Sequence, residues 1–207
     1  MTVSSINLWY ATRATGIVAL VLLSATVTLG ILTAGRARSA LPAFARADIH
    51  RRISALTVVF LAIHVVTSVV DSYVHIRWST IVVPFTSSYH SFWLALGTIG
   101  VDLFLAVAIS SALRQHISAR SWRVLHWLAY LSWPVAVAHS LGMGTDTELD
   151  WVLGLVALCI TSVVVATAWR IWESARATSR LPETLNTPRR SIRARLGAAT
   201  ASQGARS

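Results

Sequence analysis

The sequence predicts an all-α protein, a polytopic membrane helix bundle with five transmembrane helices. Two observations that conflict in a soluble protein lead there: the 207 residues carry a formal charge of +10, yet 55% of them are hydrophobic and the mean hydropathy is +0.61. A nucleic-acid-binding protein spreads basic charge over polar surface, and a disordered chain is far less apolar. Charges confined to loops between apolar helices resolve the conflict, so the lipid bilayer is an expected partner and nucleic acid is not.

Five long apolar runs supply the predicted helices, each close to the ~20 residues that a helix needs to cross a bilayer. Their length and lack of alternation favour helices over strands. Pro134 is expected to kink the fourth helix, and Gly97 and Gly100 either allow close packing of the third or are ordinary small residues. The runs occupy residues 14–33, 53–70, 92–113, 124–142 and 151–169.

The basic residues predict the orientation of the chain, and all of them are arginine. Arginines crowd the first and third connections and the segment after the last helix, whereas the second connection has only Arg77 and the fourth is acidic. The positive-inside rule therefore predicts an outside N-terminus and a cytoplasmic C-terminus in a multi-pass protein of the plasma or inner membrane. A cleaved signal peptide is the alternative for the first run, but the arginines follow that run rather than precede it.

Two domains are expected: a transmembrane domain over residues 1–173 and a disordered, arginine-rich cytoplasmic tail over 174–207. The chain has no lysine and its single cysteine is Cys159. These absences exclude lysine-based covalent catalysis, an internal disulfide and a covalent CxxCH haem site. No residue is predicted to be catalytic, and a cofactor would be held non-covalently.

Four histidines form two predicted pairs. His64 lies fourteen residues after His50 in the second helix, and His139 lies thirteen residues after His126 in the fourth. Both helices run from the cytoplasm outward, so His50 is expected level with His126 and His64 level with His139, with about 20 Å between the levels. One imidazole from each of two helices, at two depths, fits axial ligation of haem b. Candidate partners for the haem propionates are Arg46, Arg51, Arg52 and Arg123.

Other interpretations of these polar residues stay open. Intramembrane histidines can simply hydrogen-bond a neighbouring helix, and a thirteen-residue step misses its starting face by roughly 140° on an ideal helix. Asp102, in the third helix, is a candidate hydrogen-bond partner of a haem-ligating imidazole, a proton relay or an interhelical hydrogen-bonding group. His116 is an alternative inner ligand, and His75 and His90 are candidates for an outer metal site.

Two stretches resemble a known family: HRRISALTVVFLAIHVV at 50–66 and WRVLHWLAYLSWPVAVAHSLG at 122–142. They look like the ferric reductase-like transmembrane domain, which is found in ferric reductases, NADPH oxidases and the haem-binding membrane subunit of the bacterial methionine sulfoxide reductase system. The resemblance covers roughly residues 8–172. It implies two b-type haems, ligated by His50 with His126 and by His64 with His139, and electron transfer from the cytoplasm outward. Some small members of the family carry fewer haems or an additional flavin, so a single haem is the alternative for this chain.

The chain departs from the full-length reductases because no GxGxxG motif follows its last helix. A separate electron donor is therefore expected, either a flavoprotein reductase or the quinone pool, with FMN or FAD on that partner or bound peripherally. The expected acceptor is a periplasmic or extracellular protein or ferric iron. The chain is thus predicted to be the electron-transfer subunit of an oxidoreductase. The alternatives are a haem-free proton or ion transporter that uses the histidines and Asp102, and a structural membrane subunit.

Overall fold

The computed structural model describes residues 3–34, 42–71, 76–143 and 149–179, and all regular structure within these ranges is helical. The prediction of an all-α protein is therefore confirmed. Two short 3₁₀ turns, Trp78–Ile81 and Arg114–His116, precede and follow the third helix. The six helices are α1 (Val3–Ala34), α2 (Ala43–Val70), α3 (Ser91–Ala112), α4 (Ala119–His126), α5 (Leu128–Met143) and α6 (Asp150–Ser179).

Four helices are long and apolar enough to cross a membrane: Ile6–Ala34 within α1, Ala43–Val70, Ser91–Ala112, and Asp150–Arg176 within α6. They confirm four of the five predicted spans and make the chain a multi-pass membrane protein. The orientation of the chain stays a prediction.

The fourth predicted span, 124–142, differs from the expectation of one continuous helix. The chain forms α4 and α5 instead, with an interruption at Trp127. The N–H of Trp127 is shared between the carbonyls of Arg123 (3.1 Å) and Val124 (3.2 Å), and the N–H of Tyr130 donates to the Trp127 carbonyl (3.0 Å). The two bonds that span three residues, to Val124 and to Trp127, wind the chain more tightly than an α-helix. Helix α5 has 16 residues, about 24 Å, which is shorter than the hydrocarbon core of a bilayer.

The tight winding at Trp127 also bears on the thirteen-residue step between His126 and His139. A 3₁₀ turn has about 3.0 residues against about 3.6 in an α-helix, so each residue in it advances roughly 20° further. The extra rotation reduces the mismatch of an ideal helix. The interruption therefore helps to turn both histidines toward the same neighbour.

Helix α1 forms the centre of the bundle. It packs along α2 and α5, while α3 packs along α5 and α4. Small polar groups tie these helices together, as expected where apolar burial cannot drive association. Thr26 and Thr57 join α1 to α2 with hydroxyls 3.2 Å apart, and the indole of Trp133 donates to Ser24 in α1 (2.9 Å). The main apolar cluster comprises Leu23, Val27, Ile31, Phe104, Val163 and Ala166.

Helix α2 is attached to the bundle mainly through α1. It has at most slight backbone contact with α4 or α5 in the part of the chain that the structure describes. Much of its apolar surface is exposed, for example at Val59 and Val66, as suits a helix that faces lipid. A gap thus separates α2 from α4 and α5, and histidines face it from both sides.

A second compact unit begins at Thr167. Within it the rings of Trp169 and Trp172 lie 5.3 Å apart, and the guanidinium of Arg176 lies 3.6 Å from the Trp172 ring. Helix α6 continues to Ser179, so the first residues of the predicted tail are helical. The rest of that tail, 180–207, lies outside the described residues.

Candidate functional site

Two pairs of histidines lie at the gap between α2 and the α4–α5 segment, and the two members of each pair face each other across it. The ring centroids of His64 and His139 lie 6.5 Å apart with an interplanar angle of 75°. Those of His50 and His126 lie 6.4 Å apart with an angle of 71°. The pairs are those predicted from the sequence, and the nearly equal geometry at both levels indicates two sites of the same kind. We call His64–His139 the outer pair and His50–His126 the inner pair.

The outer pair is held by backbone carbonyls. Nδ1 of His64 lies 2.9 Å from the Thr12 carbonyl oxygen in α1, and Nδ1 of His139 lies 2.8 Å from the Trp93 carbonyl oxygen in α3. A carbonyl oxygen can only accept, so each Nδ1 must carry the proton and donate it. Nε2 of each ring is then left with its lone pair. That tautomer is the one in which a histidine ligates a metal through Nε2.

The outer pair also borders an apolar cavity of about 300 Å³. Its lining continues from the two imidazoles toward the middle of the bundle through Leu20, Leu61 and Phe104. Small-molecule sites in proteins are mostly apolar cavities of about 300–1,000 Å³ with a few placed polar groups. The cavity and the two imidazoles together have the character of such a site.

The inner pair lacks the well-formed hydrogen bonds from Nδ1 to a carbonyl that hold the outer pair. Nδ1 of His50 and Nδ1 of His126 are buried and make no hydrogen bond within the described residues. His126 is held by stacking instead, since the Trp122 ring lies 4.9 Å from it at 24°. The guanidinium of Arg114 in turn lies over the Trp122 ring, 4.4 Å from its centroid. The inner imidazoles are therefore packed in place but less strictly oriented than the outer ones.

The predicted propionate partners differ in how free they are. Arg51 and Arg52 both bind Asp48 at 2.6 Å, and their side chains are 81% and 77% exposed. The exposed Arg123 donates to the Ala119 carbonyl (3.2 Å). Arg46 donates to the Leu32 carbonyl (3.3 Å), and its buried Nε has no hydrogen-bond partner within the described part of the chain. Of the four, Arg46 keeps a buried donor for an anionic group.

Among the described residues, the other polar candidates take no part in the contacts given above for the two pairs. Asp102 is half-buried in α3, and the Nδ1 partners of the outer imidazoles are carbonyls rather than its carboxyl group. His116 and His90 are exposed, and His126 takes the inner position for which His116 was an alternative. His75 lies outside the described residues. No group of three or more possible metal ligands occurs within the described ranges, so each level offers two imidazoles.

Sequence reasoning missed several groups that build the outer site. The carbonyls of Thr12 and Trp93 carry no sequence signal, because every residue has one. Arg13 also borders the outer cavity and lies over the Trp9 ring at 4.3 Å, and no motif predicted a place for it at this site. A signal did exist for the glycines of α1. Gly16 and Gly30 lie against His64 and His50 and are fourteen residues apart, as those histidines are.

The comparisons with known proteins agree with this architecture. The family model described as ferric reductase like transmembrane component matches residues 15–137, more than half of the 207 residues. The match includes three of the four paired histidines and ends two residues before His139. Neither a search of curated proteins nor a search of solved structures found a match. The chain belongs to the ferric reductase-like transmembrane component family.

Proposed function

We propose that this protein transfers electrons across the membrane through two b-type haems, one at each histidine pair. The observation that carries the proposal is the separation of the paired rings, 6.4 Å and 6.5 Å between centroids. Two imidazoles that ligate one iron from opposite sides have centroids about 6 Å apart, because a metal–imidazole bond is about 2.0–2.1 Å and the centroid lies about 1 Å beyond the nitrogen. The donor set therefore fits axial ligation of haem.

The same separation disfavours a hydrogen bond between the two imidazoles of a pair. Two nitrogens that face each other from rings at this separation are about 4 Å apart, which exceeds a hydrogen-bond distance of about 3.2 Å. The paired imidazoles therefore do not hold the helices together by bonding each other. It also disfavours a direct proton relay between the members of a pair.

Each part of the site has a separate task in this proposal. When bound, haem with two axial imidazoles supplies a reversible one-electron couple with no open position for a substrate. His64 and His139 present Nε2 because their Nδ1 protons are committed to carbonyls. The mostly apolar lining of the cavity suits a porphyrin at the outer site. Arg46, with its unpartnered buried Nε, is positioned to bind a propionate near the inner pair.

We further propose that electrons enter from a cytoplasmic donor and leave on the outer side. The crowding of arginine at the end of the bundle that carries His50 and His126 supports this direction through the positive-inside rule. The donor would be a flavoprotein reductase, with its own FMN or FAD, or a membrane quinol. The acceptor would be an outer-face protein or ferric iron.

Transmembrane transfer is testable in proteoliposomes that contain trapped ferricyanide. Dithionite added outside does not cross the bilayer, so ferricyanide should be reduced only where the protein connects the two sides. We expect the trapped ferricyanide to be reduced well above the rate in protein-free liposomes. The haem absorbance should show that ferricyanide oxidises the reduced haem during the reaction. Liposomes whose trapped ferricyanide stays oxidised, although the protein is inserted, would contradict the proposal.

A further inference from the structure

Three glycines lie directly against the paired histidines, and their positions follow one rule. A Cβ atom on Gly97 would lie 2.6 Å from Cε1 of His139, and one on Gly16 would lie 2.9 Å from Cε1 of His64. Real Cβ atoms essentially never approach so closely. On Gly30 the Cβ would lie 3.4 Å from Cε1 of His50, a contact that needs little adjustment. Any side chain at Gly97 or Gly16 would thus push an imidazole out of place.

Each of these glycines also lies four residues after a backbone group that faces the same histidine. Gly16 follows Thr12, whose carbonyl accepts from His64, and Gly97 follows Trp93, whose carbonyl accepts from His139. In an α-helix a side chain leans toward the N-terminus, over the preceding turn. The residue at position i+4 therefore covers the carbonyl of residue i. A glycine at that position leaves the carbonyl open to a second donor.

The backbone conformation gives no other reason for these glycines. Gly16 and Gly97 lie inside regular helices, and neither has a positive φ. Alanine is the better helix former at such positions. The space that the imidazole occupies is what requires the absence of a side chain.

We propose that Gly16 and Gly97 are positioning residues for the axial ligands of the outer haem. By uncovering the Thr12 and Trp93 carbonyls, they let each imidazole donate from Nδ1, which fixes the tautomer and the rotation of the ring. A hydrogen bond from Nδ1 makes the imidazole a more basic ligand and stabilises ferric iron. Gly30 has the same relation to Thr26, which faces the His50 ring. Nδ1 of His50 makes no hydrogen bond to the described residues, so Gly30 has a weaker effect on the orientation of its imidazole. This inference rests on the proposed function.

The test is a graded series of single alanine variants of the full chain, purified in detergent and compared by redox titration and visible spectroscopy. Gly97→Ala and Gly16→Ala should lower the affinity for the outer haem about 10-fold or more, the scale expected when the hydrogen-bond partner of a ligand is lost. The outer haem that remains should have a more positive potential and a changed low-spin spectrum. Gly30→Ala should change the inner haem less.

A matched control exists. A Cβ on Gly154, in α6, would meet nothing within 4 Å. Gly154→Ala should leave both haems unchanged. Retention of the inner haem shows that a variant has folded, and Gly16→Ala decides the matter if Gly97→Ala does not accumulate.

The possible results separate this inference from the proposed function. An outer haem with unchanged affinity and potential in Gly97→Ala and Gly16→Ala would overturn the inference and leave the function standing. Equal losses in Gly97→Ala and Gly154→Ala would also overturn it, because a general effect of alanine on the helices would then explain the result. A wild-type protein without haem would overturn both.

Discussion

Replacement of His64 or His139 by leucine is expected to remove the outer haem and to abolish electron transfer across the membrane. In the proposed site these two imidazoles, with ring centroids 6.5 Å apart, are the two ligands of the outer haem, and leucine offers no lone pair in an apolar cavity. The loss of haem affinity should exceed the roughly 10–100-fold effect of disturbing a ligand's hydrogen-bond partner. Haem content measured by the pyridine haemochrome method, together with ferricyanide reduction in proteoliposomes, gives the result.

The matched control for the outer pair is His90→Leu. His90 is an exposed histidine that precedes α3, and its ring lies 4.7 Å from that of its neighbour Tyr89. Its replacement should leave both haems and the transfer rate unchanged. Retention of both haems in His64→Leu and in His139→Leu would show that the outer pair does not ligate haem.

Replacement of His50 or His126 by leucine is expected to remove the inner haem and leave the outer one. The two pairs use different helix segments and about 20 Å separates their levels along α2, so loss of one site should not empty the other. Reduction by a cytoplasmic donor should stop, whereas dithionite should still reduce the outer haem directly. Spectra recorded during stepwise redox titration distinguish the two sites.

His116→Leu is the control for the inner pair and also tests the alternative ligand. His116 is exposed in a 3₁₀ turn, whereas His126 faces His50 at 6.4 Å. Loss of the inner haem in His116→Leu, with retention in His126→Leu, would reverse the assignment. We expect the opposite pattern.

The pairing of the histidines could be predicted from the sequence because it depends on spacing along helices that apolar runs define well. The path from His126 to His139 could not, since the tight turn at Trp127 depends on how backbone N–H groups are shared rather than on hydropathy. The same turn divides the fourth predicted helix into α4 and α5. Hydropathy measures composition over a window and is insensitive to one extra twist of the chain.

The surroundings of the site were predictable only where side chains carry the information. The ion pairs of Arg51 and Arg52 with Asp48 follow a helical spacing of three and four residues, which is visible in the sequence. The carbonyls that orient the outer imidazoles have no such signature. Gly16 and Gly30 did have one, because their fourteen-residue step repeats that of His50 and His64.

The most direct measurement is the reduced-minus-oxidised absorbance spectrum of the purified 207-residue protein, with haem quantified per chain and the ferric state examined by electron paramagnetic resonance. The account predicts two b-type haems, both six-coordinate and low-spin. Their ferric signals should be strongly anisotropic, because axial rings at 71° and 75° are near perpendicular and leave two iron orbitals close in energy. Colourless protein, or haem with a single axial histidine, would contradict the account and favour the transporter or structural alternatives.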